Sequence, residues 1–260
     1  MSDHDQAVPL IEHLKELRTR LIRAVLLVLV VFGVLYAFSN ELYMFLSAPL
    51  RVLLEENAGM IIATGVASPF LVPFKLAFVT AVMATMPFTL YQVWAFIAPA
   101  LYLHERRLMV PLFISSVVLF YLGVAFTYYV VMPLVFAFFT GAGPVDINIT
   151  PDIAAILDFS LKMFFAFGVA FEIPIATVLV IITGISTVES LSKKRPYIFL
   201  GCFVVGMLLT PPDIFSQTIL ALPMWLLFEL GLLMGRFVKA NPKADTKEHA
   251  EDTATNNESA

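Results

Sequence analysis

Phe96-Ile-Ala-Pro-Ala-Leu-Tyr-Leu-His-Glu-Arg-Arg107 is a short polar break between two long apolar runs. A break in so apolar a chain ordinarily carries turn residues and basic anchors. Here it carries an acid, Glu105, set beside His104, Arg106 and Arg107. The run before it, about Leu71 to Ala98, and the run after it, about Leu108 to Thr140, are each long enough to cross a bilayer as a helix. The break is therefore read as a loop between two membrane spans, and its acid needs a reason.

Composition agrees. Of 260 residues, 60% are hydrophobic and 14% charged, with 24 Phe and a mean hydropathy of +0.88. Soluble domains run at about 45–50% apolar and about 25% charged. The chain reads as an all-α integral membrane protein. Its net charge of −4 says little about partners and gives no reason to expect nucleic acid, because much of the acid lies in the tail and in the outer loops. The one cysteine, Cys202, sits in an apolar run and reads as a small buried hydrophobe. The first apolar run is long and lacks a small-residue cleavage site after it, so it reads as a span and not as a cleaved signal.

Six spans follow in order. Leu10, Leu14, Leu17 and Leu21 recur at helical spacing among Glu12, Lys15, Glu16, Arg18 and Arg20. This predicts an amphipathic N-terminal segment, 1–20, at the membrane surface. The membrane domain is 21–236. The first span is about Leu21 to Phe38, followed by an outer cap loop, 39–70, with Glu41, Glu55 and Glu56 against Arg51. The second is about Leu71 to Ala98, with Pro73 and Pro87 and with Lys75 snorkelling to headgroups, and inner loop 99–107 follows. The third, about Leu108 to Thr140, leads to outer loop 141–150. The fourth runs from Pro151 to Thr183, with Thr150 as its expected cap and Asp152 matched to its dipole. Inner loop 184–195 precedes a short fifth span, Pro196 to about Thr210. An outer turn, 211–213, leads to the sixth, Ile214 to about Met234. Residues 237–260 read as a disordered cytoplasmic tail.

Arg18, Arg20, Arg23, Arg106, Arg107, Lys193, Lys194, Arg195 and Arg236 all fall on one side of this map. The basic side is the cytoplasmic one, which places both termini inside. The fifth span offers about 14 helical residues, roughly 21 Å, against a hydrocarbon core of about 30 Å. Spans 5 and 6 are accordingly read as short, with the bilayer thinned there or water reaching in.

Few polar residues lie within the spans. Glu172 stands mid-way along span 4, before Pro174, which frees the carbonyl of Ala170 and predicts a bend. A carboxylate there faces a cavity or partner, or else is neutral and bonded to a neighbouring helix for packing alone. Asp158 and Lys162 are spaced for a local i,i+4 ion pair. Met207, Thr210 and Gln217 flank the outer turn, where Thr210 and Gln217 either bond a partner helix or cap the turn. No catalytic set is visible: the histidines lie in polar segments, His104-Glu-Arg-Arg107 lacks the second histidine of a metalloprotease helix, and no Gly-rich phosphate loop occurs. The chain reads as no enzyme, with no metal and no cofactor. A small-solute transporter titrating at Glu172 would predict internal repeats, and none is apparent.

Several stretches, in order, carry a family resemblance: His13-Leu-Lys-Glu-Leu-Arg18, Ala67-Ser-Pro-Phe70, Tyr91-Gln-Val-Trp-Ala-Phe-Ile-Ala-Pro-Ala-Leu-Tyr102, His104-Glu-Arg-Arg107, Phe171-Glu-Ile-Pro174, Lys193-Lys-Arg-Pro-Tyr197 and Leu209-Thr-Pro-Pro-Asp-Ile-Phe-Ser-Gln217. The chain resembles the TatC family, the multispanning receptor subunits of the bacterial twin-arginine protein translocase, from about residue 9 to residue 236. The resemblance implies a cytoplasmic-membrane protein that binds twin-arginine signal peptides. With TatA-like and TatB-like single-span partners, and further copies of itself, it would export folded proteins on the proton-motive force. It implies that Glu16 and Glu105 meet the arginine pair, and that Arg18 and Phe96 share that cytoplasmic surface. Glu172 would line a concave face around span 4. Met207, Thr210 and Gln217 would dock partner helices, with Asp213 in the turn between. It gives Asp158 and Lys162 no role. The residue chemistry is compatible: a guanidinium pairs bidentately with a carboxylate and cannot be titrated away. Arg106 and Arg107 would repel such a ligand unless they turn to lipid phosphate.

Overall fold

The computed structural model describes residues 4–46, 65–97, 106–141, 152–209 and 214–237. Every regular element there is helical. In chain order they are α1 (His4–Tyr36), α2 (39–46), α3 (Ser68–Ala84), α4 (Met86–Ile97), α5 (Arg106–Phe126), a π turn (Thr127–Val131), α6 (Met132–Gly141), α7 (Ile153–Ala170), α8 (Ile173–Ile182), α9 (Val188–Lys193), α10 (Arg195–Leu209) and α11 (Ile214–Phe237). Four apolar stretches are long enough to cross a membrane: Lys15–Tyr36, Met109–Phe138, Ile153–Ile182 and Gln217–Phe237. The bent pair α3–α4 and the shorter α10 complete six crossings. An even number returns the chain to the side it started from.

Prolines shape the spans. Span 2 is not one helix: it breaks at Thr85 and turns by 48°. Pro87 has no N–H to offer the carbonyl of Met83; that carbonyl accepts a backbone N–H at the end of α3 and the Tyr121 hydroxyl of α5, at 3.1 Å. Thr85 returns its own hydroxyl to Ala81 and Val82, at 2.9 and 3.0 Å. In span 3 the Met132 N–H reaches back five residues to Thr127, which widens the turn just before Pro133. Span 4 breaks at Phe171–Glu172, ahead of Pro174, where the bend was expected.

Local signals also moved. The cap of α7 is Asp152, which accepts from the Ala154 N–H at 3.0 Å; the expected cap, Thr150, lies outside the described residues. α1 is continuous through residue 20, the expected boundary between surface segment and span. Inner loop 184–195 contains a helix, α9, capped by Thr187. Gly184, at φ 69°, closes α8 before it. α10 has 15 residues, roughly 22 Å, as short as expected. α11 has 24, roughly 36 Å, so of the last two spans only α10 is shorter than the hydrocarbon is thick.

The core joins spans 3 to 6: Val131, Val135, Met163, Phe167, Ala170, Phe171, Cys202, Leu220, Ala221 and Met224 pack together. Within hydrocarbon, helices are held by close packing, and small residues permit it. A Cβ on Gly123 would stand 2.6 Å from the Phe167 carbonyl oxygen, and one on Gly168 would stand 2.6 Å from the Phe120 ring. These two glycines let α5 and α7 approach. Gly231 and Gly235 do the same for α11 against Pro174, Thr177 and Ile181 of α8. Outside this core, α1 leans on α3 through Phe32, Tyr36, Phe74 and Phe78. Its Leu21, Ile22, Leu26, Leu29, Val30 and Val34 are bare, as suits a lipid-facing helix. Two grooves open beside α7, of about 570 Å³ toward α5 and α2 and about 510 Å³ toward α3.

Candidate functional site

The polar residues fall into three places along the bundle. The first is the end of α1 nearest the chain terminus, where it crosses α4. Arg20 is the pivot. Its guanidinium donates to Glu16 Oε1 from Nε at 3.0 Å and from Nη2 at 2.6 Å. It also donates to Gln92 Oε1 at 3.1 Å and, more weakly, to the Ala95 carbonyl at 3.4 Å. Helical spacing puts Glu16 and Arg20 on one face, while the bend at Thr85 brings α4 against that face. Gln92 is buried, and Arg20 keeps 21% of its side-chain exposure against 38% for Glu16. The corner thus holds a guanidinium with three acceptors, and Glu16 remains open to solvent on one side.

Phe96 follows Ala95 on α4 and is half-buried. Arg18 lies on α1 and is exposed. Glu105 lies outside the described residues, as do the side chains of Arg106 and Arg107, so the expected pairing of two carboxylates is not seen. Arg20 and Gln92 were not anticipated. Gln92 lies within the quoted stretch Tyr91–Tyr102, but nothing local says that it faces an arginine 72 positions earlier.

The second place is within the bundle. Glu172 sits at the break between α7 and α8, and its Oε1 is buried without a hydrogen-bond partner among the described residues. The Ser116 hydroxyl of α5 accepts from Trp94 Nε1 of α4 at 3.3 Å. Trp94 and Ser116 are both buried. Ser116 and Trp94 therefore link spans 3 and 2. Glu172 lines neither of the two grooves beside α7.

The third place joins the last two spans. Gln217 of α11 donates to the Phe203 carbonyl of α10 at 2.8 Å, beside Gly206, where a Cβ would stand 3.3 Å from Gln217. Met207 is half-exposed on α10, together with Phe199, Leu200, Val204, Val205 and Leu208. This forms a bare apolar face. Thr210 and Asp213 lie outside the described residues. At the other end of the pair, Arg195 donates to both oxygens of Glu229, at 2.7 and 2.8 Å, a bidentate clamp that sequence reading missed.

The expected local pair of Asp158 with Lys162 is replaced. Asp158 accepts from Lys75 Nζ across the α3–α7 contact, at 2.8 and 2.9 Å, so Lys75 is paired as well as near the surface. A direct bond of this kind outcompetes an i,i+4 pair between two freely rotating side chains. Among the described residues no group of three or more His, Cys, Asp or Glu could hold a metal ion.

A family model, Sec-independent protein translocase protein (TatC), matches residues 12–223. The chain is 56% identical over 245 residues to the Sec-independent protein translocase protein TatC of Haemophilus influenzae, covering 94% of each. It is 54% identical over 229 residues to that of Escherichia coli K12, covering 88% of each. A crystal structure of a twin-arginine translocase receptor, TatC, in DDM superposes with a TM-score of 0.79 at 34% identity, over 86% of this chain and 99% of that one.

Proposed function

The chain belongs to the TatC family of Sec-independent protein translocase proteins, and from that premise we propose that it is the subunit that reads twin-arginine signal peptides. It is a multi-pass membrane protein and a translocase component, not an enzyme. The proposal places it in the bacterial cytoplasmic membrane with both termini inside. Arg18, Arg20, Arg23, Lys193, Lys194, Arg195 and Arg236 on the terminal side of the map support that orientation.

The observation that carries the proposal is the seat of Arg20. Glu16, Gln92 and the Ala95 carbonyl already hold one guanidinium fork, so the corner has the chemistry a peptide arginine requires. Glu105, in the loop that leaves α4, supplies the carboxylate for the second arginine. Arg18 and Phe96 border the same surface. The bare face of α10, with Met207, receives the single helices of TatA-like and TatB-like partners, with Gln217 of α11 and Thr210 assigned to the same docking site. Asp213 follows Thr210 in sequence and is assigned to the same site, and further copies of the chain complete the complex. Folded cargo then crosses on the proton-motive force. Glu172 acts after recognition, during peptide insertion or partner contact.

Binding of a labelled twin-arginine peptide to the detergent-purified protein tests the reading. Glu16→Ala and Glu105→Ala are each expected to weaken it about 3- to 10-fold, the range for a half-exposed charged hydrogen bond. Lys at either position should be worse than Ala. Equal affinity in all these variants, or for a twin-lysine peptide, would overturn it. Photo-crosslinking from the same loop and from α10 separates peptide contacts from partner contacts.

A further inference from the structure

The groove between α3 and α7 holds charge that the translocase reading leaves unused. Its walls are Phe74, Phe78 and Phe165, and Lys75, Asp158 and Lys162 all open into it. Lys75 spans both oxygens of Asp158, and the two side chains stay 45% and 42% exposed. Lys162, one turn beyond Asp158 on α7, is exposed. No ion pair to it occurs among the described residues. Two cations and one anion leave the groove with a net positive charge of one.

Depth decides what answers that charge. Lys75 lies seven residues into α3 and Lys162 nine into α7, about 10 to 14 Å along helices that begin on the side opposite the chain termini. A lysine at that depth, facing lipid, is costly without an anion, and its long stem reaches back toward the headgroups to find one. The anion present there in every membrane is the phospholipid phosphate. The groove, at about 510 Å³, is of small-ligand size and otherwise apolar, with two of its three rings held in place by Phe32 of α1.

We propose that this groove is a binding site for one anionic phospholipid of the leaflet opposite the chain termini. Lys162 and Lys75 hold the phosphate diester, and an acyl chain lies along Phe74, Phe78 and Phe165. Asp158 aims Lys75 and keeps the charge at one, which a singly charged lipid neutralises; a zwitterionic lipid leaves it uncompensated.

The test is native mass spectrometry of the full chain in detergent, titrated with phosphatidylglycerol, with phosphatidylcholine of the same acyl chains, and with inorganic phosphate. One phosphatidylglycerol should be retained about fivefold better than phosphatidylcholine, the worth of roughly one lysine near a membrane surface. Lys162→Gln should remove that preference and Lys162→Arg should keep it. Asp158→Asn, which raises the charge, should strengthen retention of the anionic lipid. Circular dichroism checks that Lys162→Gln stays folded, and if it does not, the opposite shift required of Asp158→Asn decides. Equal retention of the two lipids, indifference to either substitution, or binding of free phosphate in place of lipid would each overturn the proposal. None of these outcomes bears on peptide recognition at Glu16.

Discussion

Arg20 does at residue scale what an incoming peptide would do. It fills the seat at Glu16 with a guanidinium and ties α1 to α4 in the same stroke. On the proposed reading, a peptide arginine enters by exchange, and its gain at Glu16 is partly offset by displacing Arg20. The second arginine, on Glu105, then supplies the surplus, which gives a physical reason for a consecutive pair. Arg20→Gln removes the competitor while leaving a donor for Gln92. It should tighten peptide binding in fluorescence anisotropy by about threefold, the worth of a weak exposed ion pair; weakening instead would mean that Arg20 serves only to fix the two helices. Arg195 and Glu229 form the contrasting case, a clamp with no ligand in view. Glu229→Gln should lower the Tm in detergent and leave peptide affinity alone.

At the scale of elements, the bends matter more than the spans. Pro87 predicts a disturbance, but not which side chain comes to the carbonyl of Met83. That side chain, Tyr121, sits on the next span, 38 positions away. A double-mutant cycle exposes the link. Tyr121→Phe should cost about 0.5–1 kcal/mol, the net worth of one solvent-accessible hydrogen bond, and in a Pro87→Ala background, where an N–H returns, the cost should shrink. Additive effects would show that the contact is incidental. The break at Glu172 is a second joint, with a buried carboxyl oxygen that has no hydrogen-bond partner among the described residues. With Glu172 acting after recognition, as proposed, Glu172→Ala should keep twin-arginine affinity and slow transport in vesicles containing the full set of translocase subunits; an unchanged transport rate would remove its assigned role.

Over the whole molecule, what was legible in sequence was whatever depends on neighbours in sequence. Apolar runs gave the spans, the length of α10 followed from Arg195 and the turn residues, and the bend at Glu172 followed from Pro174. What was hidden depends on partners far along the chain: Lys75 with Asp158, Arg20 with Gln92, Tyr121 with Met83. The Asp158–Lys162 spacing misled for the same reason, since a helical repeat is blind to a third residue on another helix. The 15-residue α10 has a consequence beyond this one chain. A span about 8 Å too short for the hydrocarbon pulls the lipid around it into a dimple. Two proteins that each dent a membrane lower the total elastic strain by sharing one dent, so the bilayer itself draws short-spanned neighbours toward α10 before any side chains meet. Reconstitution in lipids of graded acyl length should show it: assembly with partner helices weakens as the bilayer thins to match α10 and the shared strain disappears.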